Sequence, residues 1–229
     1  MLYFHEEVLL LALKDEQGTI VSGSNYTFAM AAALLAELLL RKRIAVDDSK
    51  KRKLVDCVDP TPVGDPLVDK ALERIRTAKR RASMQTWVGR LSNRDNLKHG
   101  TARRLCAKGI LRADEDKVLL LFKRRIYPES DPAAERELTA RLERAIFGDS
   151  REVDPRTVVL LSLADAAGLL AHAFDKKELK RRKMRIEQVV NGEMTGKAAK
   201  EAIEAMQAAV IVAACIVPVI TATTATTSC

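Results

Sequence analysis

Between Tyr26 and Arg41 the chain reads as a helix whose middle, Ala29 to Leu40, is apolar on every face except at Glu37. A helix without a polar face has no side to offer water, so it belongs at the centre of a bundle. Arg41-Lys42-Arg43 close it with positive charge, which the helix dipole favours at a C-terminus. A second apolar helix is expected over Lys200 to Val217. Its most apolar run, Ala208 to Ile220, is interrupted by Pro218 and falls short of the roughly 20 residues a bilayer span needs, so it reads as buried core.

Aromatic residues are only 4% of the chain, which leaves Leu, Ala and Val to fill the interior and favours helix packing over a β-sandwich. Asp-Pro pairs at Asp65-Pro66, Asp131-Pro132 and Asp154-Pro155 each join an N-cap to a proline at the first helical position. The first opens a helix with Leu67, Val68, Ala71, Leu72 and Ile75 in one stripe; the second sets Leu138, Leu142, Ala145 and Ile146 on one face. The third opens the apolar run Val158 to Leu163, and Lys176 to Val190 reads as one more polar helix. Ile44 to Val58 looks like a hairpin with its turn at Asp47 to Lys53.

Thr101 to Leu111 reads as a helix ending at Gly109, Asp114-Glu115-Asp116 as an acidic turn, and Val118 to Phe122 as a strand. That succession is winged-helix-like. The expected fold class is mainly α, a single-domain helical bundle over residues 1–220, with a frayed tail over 221–229.

The net charge of +8 favours a phosphate-bearing or otherwise anionic partner. The charge is concentrated. Arg74, Arg76, Lys79, Arg80, Arg81, Arg90, Arg94, Lys98, Arg103, Arg104, Lys108 and Arg112 stand against one acid, Asp95, with Trp87 among them as an interfacial anchor or core residue. A second basic run, Lys176 to Arg185, fits a solvated helix face. Cys57, Cys106, Cys215 and Cys229 are scattered, as suits a reducing, cytoplasmic compartment, and the acidic start is unlike a signal peptide. No phosphate-binding loop, nucleophile elbow or metal spacing among His5, His99 and His172 is present, so neither an enzyme nor a cofactor is expected. His172 reads as a core or cap histidine, and Glu37 and Asp165 as carboxylates in apolar helices.

Several segments resemble the Golgi phosphoprotein 3 family. They are Glu6 to Gly18, Leu34 to Ile44, Pro62 to Leu72, Trp87-Val88, Lys108-Gly109-Ile110-Leu111 and Asp154-Pro155-Arg156-Thr157, in the family's order along nearly the whole chain. The resemblance implies a mainly helical domain with a projecting hairpin near 110–127. It also implies a peripheral membrane protein on the cytosolic face of Golgi membranes that binds phosphatidylinositol 4-phosphate, cytosolic tails of membrane enzymes and the vesicle coat. In the family's headgroup pocket a Trp, an Arg and two basic residues align with Ser22, Ala31, Asp95 and Lys98 of this chain, with Arg94 adjacent to the third. The chain begins at the domain without the family's basic N-terminal tail, like a minimal and even bacterial relative.

The headgroup contacts expected here are Lys98, Arg94, Arg90, Arg41 and Arg43, with Leu119, Leu121 and Phe122 of the hairpin facing the membrane or a second copy of the chain. The alternative is nucleic acid, held by Arg103, Arg104 and Lys108 of the winged-helix-like segment.

Overall fold

A computed structural model of the protein describes residues 1–14, 17–47, 53–92, 96–118 and 122–194. The expected apolar helix at Lys200 to Val217, the tail, Arg94, Leu119 and Leu121 lie outside these described residues. So do the side chains at 116–118 and 122–124, Phe122 among them.

The centre is built from two helices. The chain opens on α1 (Phe4–Ala12), every residue of which is buried. A short ribbon of β1 (Leu13–Lys14) and β2 (Thr19–Ile20) then turns the chain into α2 (Tyr26–Leu40), buried from Ala29 to Leu38. Ala29, Ala31, Ala32, Ala33 and Ala36 make α2 thin, and α1 packs directly on it. Apart from Glu37, α2 is apolar around its buried circumference and is enclosed as that pattern demands, whereas α1 is enclosed although its first turn carries His5, Glu6 and Glu7.

Outside this pair, β3 (Ile44–Asp47) pairs antiparallel with β4 (Leu54–Cys57), and β4 also pairs with β5 (Ala82–Ser83). The two-residue β5 is too short to leave a periodic signal in the sequence. α3 (Pro66–Arg76) starts where Asp65 accepts the backbone N–H groups of Leu67 and Val68 at 2.9 and 3.0 Å, and buries Val68, Ala71, Leu72 and Ile75. α4 (Met84–Ser92), which the sequence reading did not assign, buries Met84, Trp87, Val88 and Leu91 against α2. α5 (Leu97–Ala107) begins four residues before the expected start and ends at Gly109, whose φ of +74° suits the helix stop.

The segment after α5 differs from its sequence reading. Asp114–Val118 is not a turn but a strand, β6, paired in register with β7 (Phe122–Ile126). The register sets Glu115 opposite Arg125. Opposite charges directly across a ladder favour the pairing, which polarity read along one strand alone cannot reveal.

α6 (Ala133–Phe147), α7 (Pro155–Ala166) and α8 (Leu170–Ala173) complete the shell with α9 (Lys176–Arg181) and α10 (Lys183–Val190). α9 and α10 correct the expected single helix at 176–190. The break falls at Arg182, whose guanidinium donates to the carbonyl of Phe147, while Arg185 donates to those of Ala145 and Ser150. These arginines satisfy carbonyls at and beyond the end of α6, so part of the second basic run serves as helix capping. His172 is exposed in α8 rather than set in the apolar helix, and Asp165 is exposed near the end of α7.

Candidate anion-binding surface

The buried α1 carries three ionisable residues, His5, Glu6 and Glu7. Burying charge is costly unless it is paired and hydrogen-bonded. Glu6 accepts Lys108 Nζ at 2.7 and 2.6 Å, and Tyr3 N–H at 2.9 Å. Glu7 accepts Arg141 at 2.7 Å and lies 3.6 Å from Arg156. Glu37 of α2 accepts Arg41 Nε at 2.9 Å and Phe4 N–H at 3.2 Å, with Arg156 at 3.3 Å. Arg156 is itself buried, stacks 4.0 Å from the centroid of Phe4 and donates to the Leu2 carbonyl at 2.5 Å. Glu37 is therefore an ion-pair partner and not a free acid or base. Burial raises the pKa of Glu7 against the pull of Arg156 and Arg141.

Asp65, capping α3, lies 3.3 Å from His5 Nε2 and 2.7 Å from Arg104 Nε. His5 Nδ1 is 3.0 Å from Thr101 Oγ1. Burial alone would raise the Asp65 pKa, but His5, the Val68 N–H and Arg104 together hold it down to about 2. Its folded pKa lies below its unfolded one, so the stability it confers is complete above about pH 4 and fades as pH falls towards 2. Asp65→Asn is expected to cost about 1–2 kcal/mol at neutral pH and to flatten the acid limb. Urea unfolding at pH 6 and pH 2.5 checks this. Parallel loss of stability in wild type and variant over that interval would assign the acid limb to other groups.

The network decides which cations face outward. Arg104 and Lys108 are committed to Asp65 and Glu6, which removes two of the three contacts expected for a nucleic-acid phosphate surface. Arg43 pairs with Asp59, and Arg41 pairs with Glu37 while lying 5.2 Å from the ring centroid of Tyr3. Arg81 holds Asp47 and Asp56, and Arg76 holds Glu73. The single basic field read from Arg74 to Arg112 is thus divided among several local environments.

One outward cluster forms where α5 meets the end of β7. His99 Nδ1 is 2.6 Å from the hydroxyl of buried Tyr127, and Lys98 Nζ lies 5.9 Å from the Tyr127 ring centroid. Arg103 reaches back to the His99 carbonyl at 3.3 Å. The His99 pKa is lowered by burial and then by the positive charges of Lys98, Arg125 and Arg103. Lys98 and Arg103 of α5 and Arg125 of β7 thus bring positive charge to bear on one imidazole at the base of the β6–β7 hairpin, with Glu115 the acid set across from Arg125.

Gly18 fixes this junction. Its carbonyl accepts Tyr127 N–H at 2.9 Å, and its φ is +57°. A Cβ there would lie 2.2 Å from Pro128 N and from the Tyr127 carbonyl carbon.

Of the expected headgroup contacts, Lys98 belongs to this cluster, whereas Arg90 lies 4.9 Å from the Trp87 ring centroid on α4. Arg41 shares the Tyr3 ring with Lys108, which is ten residues beyond Lys98 along α5 and its cap, about 15 Å at the rise of a helix. Ser22 is exposed and Ala31 fully buried. Arg125 and the His99–Tyr127 pair were not found from sequence, because strand β7 supplies them to α5 across 28 residues of chain.

Among the described residues no helix is long and apolar enough to cross a membrane. Residues 4–206 match the family model described as Golgi phosphoprotein 3 (GPP34). The chain is also similar to Vacuolar protein sorting-associated protein 74 of Schizosaccharomyces pombe. The two are 27% identical over 202 residues, covering 74% of this chain and 59% of that protein. The chain thus spans less than two thirds of that relative's length.

Proposed function

Because the chain belongs to the Golgi phosphoprotein 3 (GPP34) family, we propose that it is a peripheral membrane-binding protein, not an enzyme, which docks on anionic lipid through the α5–β7 junction. The observation that carries this reading is the basic grouping at the base of the hairpin, where Arg103 donates to the His99 carbonyl, Lys98 lies by the ring of Tyr127, the hydrogen-bond partner of His99, and β7 supplies Arg125. Leu119, Leu121 and Phe122 of that hairpin would contribute apolar contact with the bilayer or with a second copy of the chain. Each basic side chain at an anionic surface contributes on the order of 1 kcal/mol, so three give about 3 kcal/mol and a factor of about 100 in affinity. That strength suits reversible attachment.

The lipid implied by the family is phosphatidylinositol 4-phosphate. Exposed Ser22 and buried Ala31 stand where the family's headgroup pocket has Trp and Arg, which favours charge-driven docking over recognition of that headgroup alone. Binding of cytosolic tails of membrane enzymes is part of the same proposal, since docking brings the protein to the surface from which such tails emerge.

Vesicle co-sedimentation tests the reading. The protein is expected to sediment with vesicles containing phosphatidylserine, to remain free with pure phosphatidylcholine, and to be released as salt screens the surface. Equal partition onto neutral and anionic vesicles, or none onto either at low salt, would reject it.

A further inference from the structure

A second cationic feature shares no residue with the α5–β7 junction. The end of α3, the turn after it and α4 enclose a cleft of 530 Å³ lined by Arg74, Lys79, Arg80, Arg90, Trp87 and Leu91, with no carboxylate in its wall among the described residues. Among the described residues, Glu73 accepts two bonds from Arg76, and Asp47 and Asp56 contact Arg81. Four cations lining one concavity create a focused positive potential.

Trp87 adds an independent sign of a ligand. It is 3% exposed, and its indole N–H is buried without an acceptor among the described residues. A buried donor left unsatisfied costs about 1–3 kcal/mol and calls for an explanation. The Arg90 guanidinium lies over the indole, 4.9 Å from its centroid, which adds a planar donor fork to the cleft wall. An anionic oxygen in the cleft would satisfy the indole donor and neutralise the surrounding charge in one step.

We infer that this cleft is a binding site for a phosphate monoester. The group's oxygens accept charge-assisted hydrogen bonds from Arg90, Arg80 and Lys79 and one bond from the Trp87 indole. The volume exceeds that of a bare phosphate, leaving room for the esterified carbon unit along Leu91. A soluble phosphate ester and a lipid headgroup bearing a terminal phosphate present the same chemistry.

Trp87 is the sole tryptophan of the chain, so its emission reports on this cleft directly. The full-length protein is titrated with glycerol 3-phosphate in one arm and with vesicles containing phosphatidic acid in the other, at constant ionic strength. A saturable change in emission in either arm is expected. It should be weakened at least tenfold in a Lys79→Glu, Arg90→Glu variant and changed by less than about fivefold in a variant with equal charge reversal at the exposed α9 residues, Lys176→Glu, Lys177→Glu. Saturation by glycerol 3-phosphate identifies a soluble ligand; saturation only by phosphatidic acid identifies a lipid. Trp87→Phe, followed by calorimetry because it is dark, should bind more weakly while remaining folded by circular dichroism. No saturable change in either arm, an equal change with chloride, or full binding by the Lys79→Glu, Arg90→Glu variant would overturn the assignment.

Discussion

Arg156→Met is expected to destabilise the protein by about 3–5 kcal/mol, the range for removing one partner of a buried ion pair. For a chain of this size that corresponds to a fall in Tm on the order of 10 °C. Arg156 stands between Glu7 and Glu37, which are 3% and 0% exposed, and also holds the Leu2 carbonyl and the face of Phe4. Methionine keeps the aliphatic stem but leaves the two buried carboxylates to Arg141, Arg41 and the Phe4 N–H. A cycle with Glu37→Leu isolates the coupling. Removing both charged groups should cost less than the sum of the single losses, because neither leaves the other stranded. Additive losses, or a change in Tm of only a degree or two in the single variant, would show that α1 does not depend on this pairing.

Gly18→Ala ranks second, at about 3 kcal/mol. Forcing an L-residue into left-handed backbone costs about 1 kcal/mol, and relieving overlap with the Tyr127–Pro128 peptide adds about 1–3 kcal/mol. Relief requires the β1–β2 turn and the end of β7 to separate, which breaks the hydrogen bond from Tyr127 N–H to Gly18. The change should therefore reach the His99–Tyr127 pair as well as Tm. His99 imidazole NMR shifts would move toward those of a solvated ring, and vesicle binding would weaken in parallel. An alanine tolerated with an unchanged Tm and unchanged His99 resonances would contradict the geometry.

How much of this was legible in the sequence depends on the range of each interaction. α2 was visible because its apolar circumference is a local pattern, and α3 and α7 because an Asp N-cap and Pro act within three residues. The partners of the α1 acids were not visible. Glu6 meets Lys108 across 102 residues and Glu7 meets Arg141 across 134, and no spacing rule links such positions. The break between α9 and α10 was hidden for the same reason, since its cause is the distant end of α6.

The basic field behaved differently. Its existence could be read from Arg74 to Arg112, but its division could not. Arg104, the next residue after Arg103, and Lys108, one turn beyond Arg104, pair with buried acids, while Arg103 is exposed. Which side of α5 meets α1 decides that, and two arginines adjacent in sequence, Arg103 and Arg104, carry no difference in type to announce it. Lys98 was found through the family resemblance.

The most direct test of the central claim is vesicle affinity after charge reversal confined to the α5–β7 junction. Lys98→Glu, Arg103→Glu, Arg125→Glu is compared with an equal charge change at the exposed residues Lys176, Lys177 and Lys180 of α9. Both variants should keep the wild-type circular dichroism and Tm within a few degrees. The account predicts at least a 100-fold loss of affinity for phosphatidylserine vesicles in the first variant and a loss of less than about fivefold in the second. Equal losses in the two would mean that net charge alone drives attachment, and retention of binding by the first would place the membrane-facing surface elsewhere on the protein.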